Sequence, residues 1–273
     1  RPEFALCRFC NPALLKFRSI PKPKILEEIK FNLTSGIKKV FIHSDDFFRY
    51  GSKGHDPNPT AILDLLSCVK KMTCGLGKNS FDFDFISASS IMQAPDLIED
   101  VSELMQLGKK NQSIVALGVE TGSPRLLAKH MPGKVKPFKI EDWPEIIVSA
   151  AKILHDNNWI GFYSFILGLP EETSDDLMKT LELVDRLKSF NCVLMPIIFM
   201  PIAIGPATKV VGIGCLDPLA MSYGTKIAQC FLHCLHLSAS DSIMAKTFRE
   251  VLFNPIIRKF RSNGLKVIIG GQG

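Results

Sequence analysis

The sequence predicts an α/β fold built on a parallel sheet and organised as an open or partial barrel. Three observations predict it. Short β-rich runs alternate with amphipathic helical stretches over residues 22–204. The strand-like runs are apolar, as in strands covered by helices. Five such runs are visible, which fits a partial barrel better than a closed eight-stranded one of about 200 residues or more.

The elements follow in order. Residues 22–37 read as a helix, with Ile25, Ile29, Leu33 and Ile37 on one face and Gly36 near its end. Residues 39–43 read as a strand that runs into Ser44-Asp45-Asp46. A helix over 60–72 carries Ile62, Leu65, Leu66, Val69 and Met72, and the alternating Phe and Asp of 81–87 fit a strand. Residues 96–107 form a helix with Leu97, Val101, Leu104 and Met105 inward, before a strand over 114–119. The helix over 143–155 opens on Asp142 and Glu145 in capping-box spacing, with Pro144 in the first turn. A strand over 159–167, a helix over 175–188 and a last strand over 192–200 complete the rhythm. Beyond Gly205 the βα units stop. Residues 217–237 and 245–261 read as helices, so 1–205 is taken as the barrel core and 206–273 as a mostly helical extension.

Composition bounds the function. The 273 residues suffice for one α/β barrel or two small domains. No apolar run reaches the roughly 20 residues of a membrane span; 193–204 is apolar but broken by Pro196 and Pro201, and reads as a buried strand. The first residue is Arg1 rather than Met, and no charged-then-apolar stretch resembles a leader, so the chain reads as a fragment of something longer. A net charge of +6 from scattered basic residues is compatible with a nucleic-acid partner without indicating one. Eight cysteines in a chain of this length do not form a secreted disulfide scaffold, so a reducing, cytoplasmic setting is expected. There, a close cysteine pair reads as metal-binding or catalytic.

In parallel α/β folds the ligands sit at the carboxyl ends of the strands. Cys7-Arg8-Phe9-Cys10 supplies two thiolates that one soft metal centre can share from a single turn. A zinc knuckle or two unrelated thiols are the alternatives, and a knuckle asks for a second matching pair. Cys68 and Cys74 lie on or after a helix, and Cys230, His233 and Cys234 share one helix face, where core packing explains them. His43 stands at a strand end beside Asp45, where packing by neighbours is the commoner role.

The Cys7–Cys10 run resembles the last part of the cluster motif of the radical S-adenosylmethionine (radical SAM) enzymes. In that family three cysteines after the first strand hold a [4Fe–4S] cluster. The resemblance implies Cys7 and Cys10 as cluster ligands and Phe9 as an aromatic near the adenine. The usual first cysteine would fall at Glu3; either the third ligand lies upstream of Arg1 or Glu3 provides a carboxylate. The first family strand would also precede Cys7, so the fold implied is a partial (β/α)6 barrel of the TIM type without its first strand, leaving an edge beside 39–43.

Further turns agree with the family. Ser44-Asp45-Asp46 stands where many members receive the ammonium of S-adenosylmethionine, without the usual glycines. Gly118-Val119-Glu120-Thr121-Gly122-Ser123-Pro124-Arg125 resembles the G-x-E-S-G-S segment of the branch containing cobalamin-binding radical enzymes and methylthiotransferases. Glu120 could accept from a ribose hydroxyl or an ammonium, Arg125 could offer a fork to a carboxylate, and Ser123 could instead cap the next turn. Residues 165–173 resemble G-L-P-G-E-T, with Gly168 and Leu169 near the adenine and Glu171 in place of the second glycine. Thr173 or Ser174 would cap the next helix. Residues 199–206 resemble F-x-P-x-P-G-T imperfectly.

The resemblance implies a [4Fe–4S] cluster and S-adenosylmethionine as cofactors, and an electron donor such as ferredoxin or flavodoxin. It also implies a deoxyadenosyl radical that takes hydrogen from the substrate, with methyl or methylthio transfer as the subclass. Cobalamin could enter through a domain preceding the barrel. The alternative is a non-catalytic or degenerate iron–sulfur or zinc-binding barrel module.

Overall fold

The computed structural model describes residue 7, residues 18–77 and residues 80–199 of the chain. Phe9, Cys10 and the expected C-terminal helices lie outside these residues.

Helix α1 (Lys22–Thr34) begins with Pro in its first turn and ends three residues before Ile37, because Gly36 adopts φ +90° and turns the chain. Strand β1 (Val40–Ile42) follows, then a short 3₁₀ turn (Phe47–Arg49) and α2 (Pro59–Met72), capped by the Asn58 side chain. Strand β2 (Phe81–Phe83) is shorter than the Phe/Asp alternation suggested. Ser87, read as the end of that strand, instead caps α3 (Ala88–Gln93) by accepting from Ser90 N. Helix α4 (Pro95–Met105) ends on Gln106 at φ +57°. Strand β3 (Ser113–Glu120), helix α5 (Pro124–His130), helix α6 (Trp143–Asp156), strand β4 (Trp159–Leu167), helix α7 (Ser174–Leu187) and strand β5 (Cys192–Ile198) complete the series.

One cap moves. Asp142 makes no side-chain cap on α6, because a 3₁₀ turn (Ile140–Asp142) winds straight into the helix and leaves Asp142 already helical at φ −78°, ψ −4°. The capping box belongs to α7 instead, where Thr173 and Asp176 satisfy each other's backbone N–H groups.

Among the described residues every strand pairs in parallel. β1 pairs with β2, and β3, β4 and β5 pair in that order. A single parallel bridge, Phe85 with Ala116, joins the two sheets. The strands therefore step across the sheet in chain order, each connection passing through helix, as parallel pairing demands. Among the described residues β1 has a ladder partner on one side alone.

Strand alternation divides the sheet into two faces. Val40, Phe81, Phe83, Val115, Leu117, Trp159 and Tyr163 are buried under the helices. Phe83 stacks on Phe47 at 4.5 Å and leans on Trp159 at 5.4 Å, and the Trp159 indole N–H donates to Ser102 of α4. The other face is open. There Phe41 is 57% exposed, Ile114 39% and Ile197 46%.

Candidate functional site at the strand ends

The carboxyl ends of β1 to β4 bring together the turns that the sequence singled out. Cys7 is buried and belongs to the hydrophobic core. Asp45 is exposed and has no partner among the described residues. Asp46 is half-buried and collects four donors: Arg49 Nε at 3.0 Å, Ser87 N at 3.3 Å, Ser87 Oγ at 2.7 Å and Ser90 Oγ at 2.9 Å. It ties the turn after β1 to the start of α3. His43 does not turn to Asp45; its Nδ1 meets the Asp84 carboxylate at the end of β2.

Glu120 ends β3 at φ +66°, just after an irregularity in the β3–β4 register between Gly118 and Glu120. The bend aims its carboxylate at Lys134 Nζ, 2.7 Å away, and at the Ser164 hydroxyl of β4, 3.3 Å away. A Cβ on Gly118 would lie 2.3 Å from Glu120 Oε1 and 2.6 Å from Lys134 Nζ, so the ion pair occupies the space above that glycine.

The loops after β3 and β4 are locked to each other. Asp176, 1% exposed, accepts from Ser123 Oγ and Arg125 on one loop. From the other loop it accepts Thr173 N at 2.9 Å and Thr173 Oγ1 at 2.6 Å. Burial pushes the Asp176 carboxyl up, but these donors outweigh it and hold the group well below the usual carboxylate range. Ser123 also caps α5 by accepting from Leu126 N. Gly122 N donates to Thr180 Oγ1 at 2.8 Å, and a Cβ on Gly122 would meet the Lys179 carbonyl oxygen at 2.6 Å; only glycine allows this approach.

The turn after β4 is fixed from the same side. Gly168 adopts φ +78°, and its N–H donates to Glu172 Oε2 at 2.8 Å. Burial raises the Glu172 carboxyl to about 7, partly opposed by that N–H. Leu169 is buried. Glu171 stands at φ +63°, a conformation that suits the glycine of the resembling motif. Its backbone carbonyl accepts from Arg125 at 2.7 Å, and Lys129 pairs with its side chain. The neighbouring Pro170 carbonyl accepts from His130 Nε2 at 2.9 Å.

Thus Glu120, Ser123, Arg125, Gly168 and Leu169 converge on the ends of β3 and β4, while Asp45 and Asp46 sit at the end of β1. The guanidinium fork of Arg125 goes to Asp176 within the chain. Asp84, Lys134, Ser164 and Asp176 were not singled out by sequence. For Asp176 the T-x-x-D spacing from Thr173 was the available signal; the others are joined only by the fold. Among the described residues no three His, Cys, Asp or Glu side chains are grouped as a metal ion requires, and no helix is long and apolar enough to cross a membrane.

A tRNA-2-methylthio-N(6)-dimethylallyladenosine synthase from Thermosipho africanus is 24% identical over 186 residues, covering 66% of this chain and 39% of that protein. The same-named protein from Chromohalobacter salexigens is 24% identical over 196 residues, covering 70% and 40%. The chain thus spans about two fifths of the length of the curated relatives it matches. Among solved structures, the radical S-adenosylmethionine methyltransferase TsrM from Kitasatospora setae, with cobalamin and a [4Fe–4S] cluster bound, aligns at a TM-score of 0.45. It shares 11% identity and covers 64% of this chain and 29% of that one. The profile of the Radical SAM superfamily matches residues 4–184, which take in Cys7, Cys10 and every strand-end turn from Ser44 to Thr173, and the chain belongs to that superfamily.

Proposed function

We propose that this chain is the core of a radical SAM enzyme, built as a partial (β/α)6 barrel of the TIM type, and that the whole protein carries out methylthio or methyl transfer. The observation that carries the reading is the coincidence of the family match over 4–184 with polar turns at consecutive parallel strand ends. The transfer subclass rests on the relatives, which are named as methylthio-adenosine synthases acting on tRNA.

The residues present suit the family's cofactors. Cys7 is a buried thiol, and Cys10 stands three positions on in sequence; together they would hold the [4Fe–4S] cluster, with Phe9 beside the adenine. The carboxylates of Asp46 and Glu120 match an ammonium or ribose hydroxyls in chemistry. Gly168, at φ +78° and without a Cβ, leaves room for an adenine edge beside Leu169. A bound cluster and S-adenosylmethionine would supply hydrogen-atom abstraction chemistry. The chain itself orients. Lys134 and Ser164 fix the rotamer of Glu120, and the Asp176 lock fixes the two loops.

The test is anaerobic reconstitution of the chain with iron and sulfide, followed by electron paramagnetic resonance of the reduced protein. A reduced [4Fe–4S] signal that shifts on adding S-adenosylmethionine, and that Cys10→Ala abolishes, is the expected result. No cluster, or one indifferent to S-adenosylmethionine, would overturn the reading in favour of a degenerate metal-binding barrel.

A further inference from the structure

The open face of the sheet carries a polar arrangement that the cofactor motifs do not use. His43 and Asp84 each stand one residue beyond a strand, β1 ending at Ile42 and its parallel partner β2 at Phe83, and their side chains meet there. Asp84 is fixed from behind. Its Oδ1 accepts from Ser44 N at 3.1 Å and from Phe85 N at 2.8 Å, and its Oδ2 meets His43 Nδ1. The Asp84 side chain is 12% exposed and that of His43 75%. An exposed pair of this kind adds little to stability, so packing does not account for a carboxylate held this firmly against an open ring.

The partners set the tautomer. An ionised carboxylate only accepts, so the neutral imidazole keeps its proton on Nδ1 and presents a bare Nε2 lone pair outward. Nε2 has no partner among the described residues. Phe85, 39% exposed, lies edge-on to the ring at 6.0 Å and 76°. An acceptor nitrogen beside exposed aromatic surface suits a flat ring with a donor at its edge. The carboxylates of Asp84 and Asp45 disfavour a phosphate there.

We propose that His43 contacts the substrate. Its Nε2 accepts a hydrogen bond from an N–H of a planar heterocyclic base that lies against Phe85, and Asp84 is the positioning residue that keeps Nε2 bare. The inference rests on the radical SAM reading in one respect, that the substrate binds at the strand ends.

Asp84→Asn gives a sharp test. Two backbone N–H groups keep the amide carbonyl at the Oδ1 position, so the amide NH₂ faces His43 Nδ1 and drives the ring proton to Nε2. In the chain labelled with ¹⁵N-histidine, NMR is expected to show His43 with Nδ1 protonated and Nε2 bare, and the reverse in Asp84→Asn; His43→Ala assigns the signals. Titration then uses 6-(methylamino)purine riboside and 6-(dimethylamino)purine riboside, which differ by one N–H. The first is expected to move the His43 Nε2 signal and to bind about tenfold more tightly than the second. Both variants, shown folded by circular dichroism, are expected to lose that preference. A wild-type His43 protonated on Nε2, no response to either riboside, or equal binding of the two would overturn the proposal. Equal binding beside an intact cluster signal removes this inference alone; a lost cluster signal with the preference intact removes only the enzymatic reading.

Discussion

The two halves of the sheet hold their polar groups differently. β1 and β2 are 3 residues each, and beyond them His43 and Asp45 face outward while Phe41 stays open. β3 and β4 run for 8 and 9 residues, and the loops beyond them close on one buried carboxylate, Asp176. The longer pair therefore has its site geometry fixed before any ligand arrives. Beyond the shorter pair, the Asp45 side chain and His43 Nε2 have no partner among the described residues. Preorganisation and open recognition thus sit side by side on one sheet.

Asp176→Asn should separate the halves most strongly. Each Asp176 oxygen holds an N–H that cannot turn into an acceptor, from Arg125 on one side and from Arg125 and Thr173 on the other. Whichever way the amide sits, one such donor faces an NH₂. A loss of about 3 kcal/mol in urea unfolding is expected; a loss under about 1 kcal/mol would show that the lock does not hold the loops.

A smaller effect comes from pH. Glu172 has its folded value raised from 4.5 to about 7 by burial. Between those values the folded chain binds more protons than the unfolded one, so its contribution to stability falls as pH rises from about 4.5 to 7 and is flat above. The full shift corresponds to roughly 3 kcal/mol, which solvent reaching the half-buried Glu172 reduces to a fall on the order of 2 kcal/mol, and Glu172→Gln should remove it in melts taken across that window. Asp176 has the opposite sign: its contribution is present above the ordinary carboxylate value and is lost as pH falls below it.

The least costly of the three is Asp46→Asn, at about 1 kcal/mol in the same unfolding measurement. An amide NH₂ at the Oδ1 position forfeits only the 3.3 Å bond from Ser87 N, while the oxygen keeps Arg49 and the two serines. If this change proved as damaging as Asp176→Asn, the distinction between the halves would fail.

Much of this was legible in the sequence because apolar periodicity reports burial directly. The strand over 159–167 matches β4 residue for residue, since every second residue from Trp159 to Leu167 is buried. The shorter β2 was over-read. Its Phe/Asp alternation runs on to Phe85, beyond the strand's end at Phe83, and Ser87 then turns to capping; a cap competes with a strand through side-chain bonds that periodicity does not register. Asp142 and Glu145 had capping-box spacing but not the backbone to use it, while Thr173 and Asp176 had both. Asp84 was hidden for another reason. Its meaning comes from His43, 41 residues away in the chain and one strand away in space. Glu171 shows the converse: a departure from a glycine pattern is tolerated at φ +63° because Arg125 and Lys129 hold the turn from outside.

One quiet feature of β4 bears on how this sequence can drift. The Tyr163 ring, buried on the helix-covered face, folds back along its own strand until a Cβ on Gly161 would lie 2.3 Å from its hydroxyl oxygen. The two positions therefore vary as one. A side chain at 161 is admissible in descendants that have first traded the tyrosine for something shorter, and the reverse order of change passes through a strand that cannot close its core.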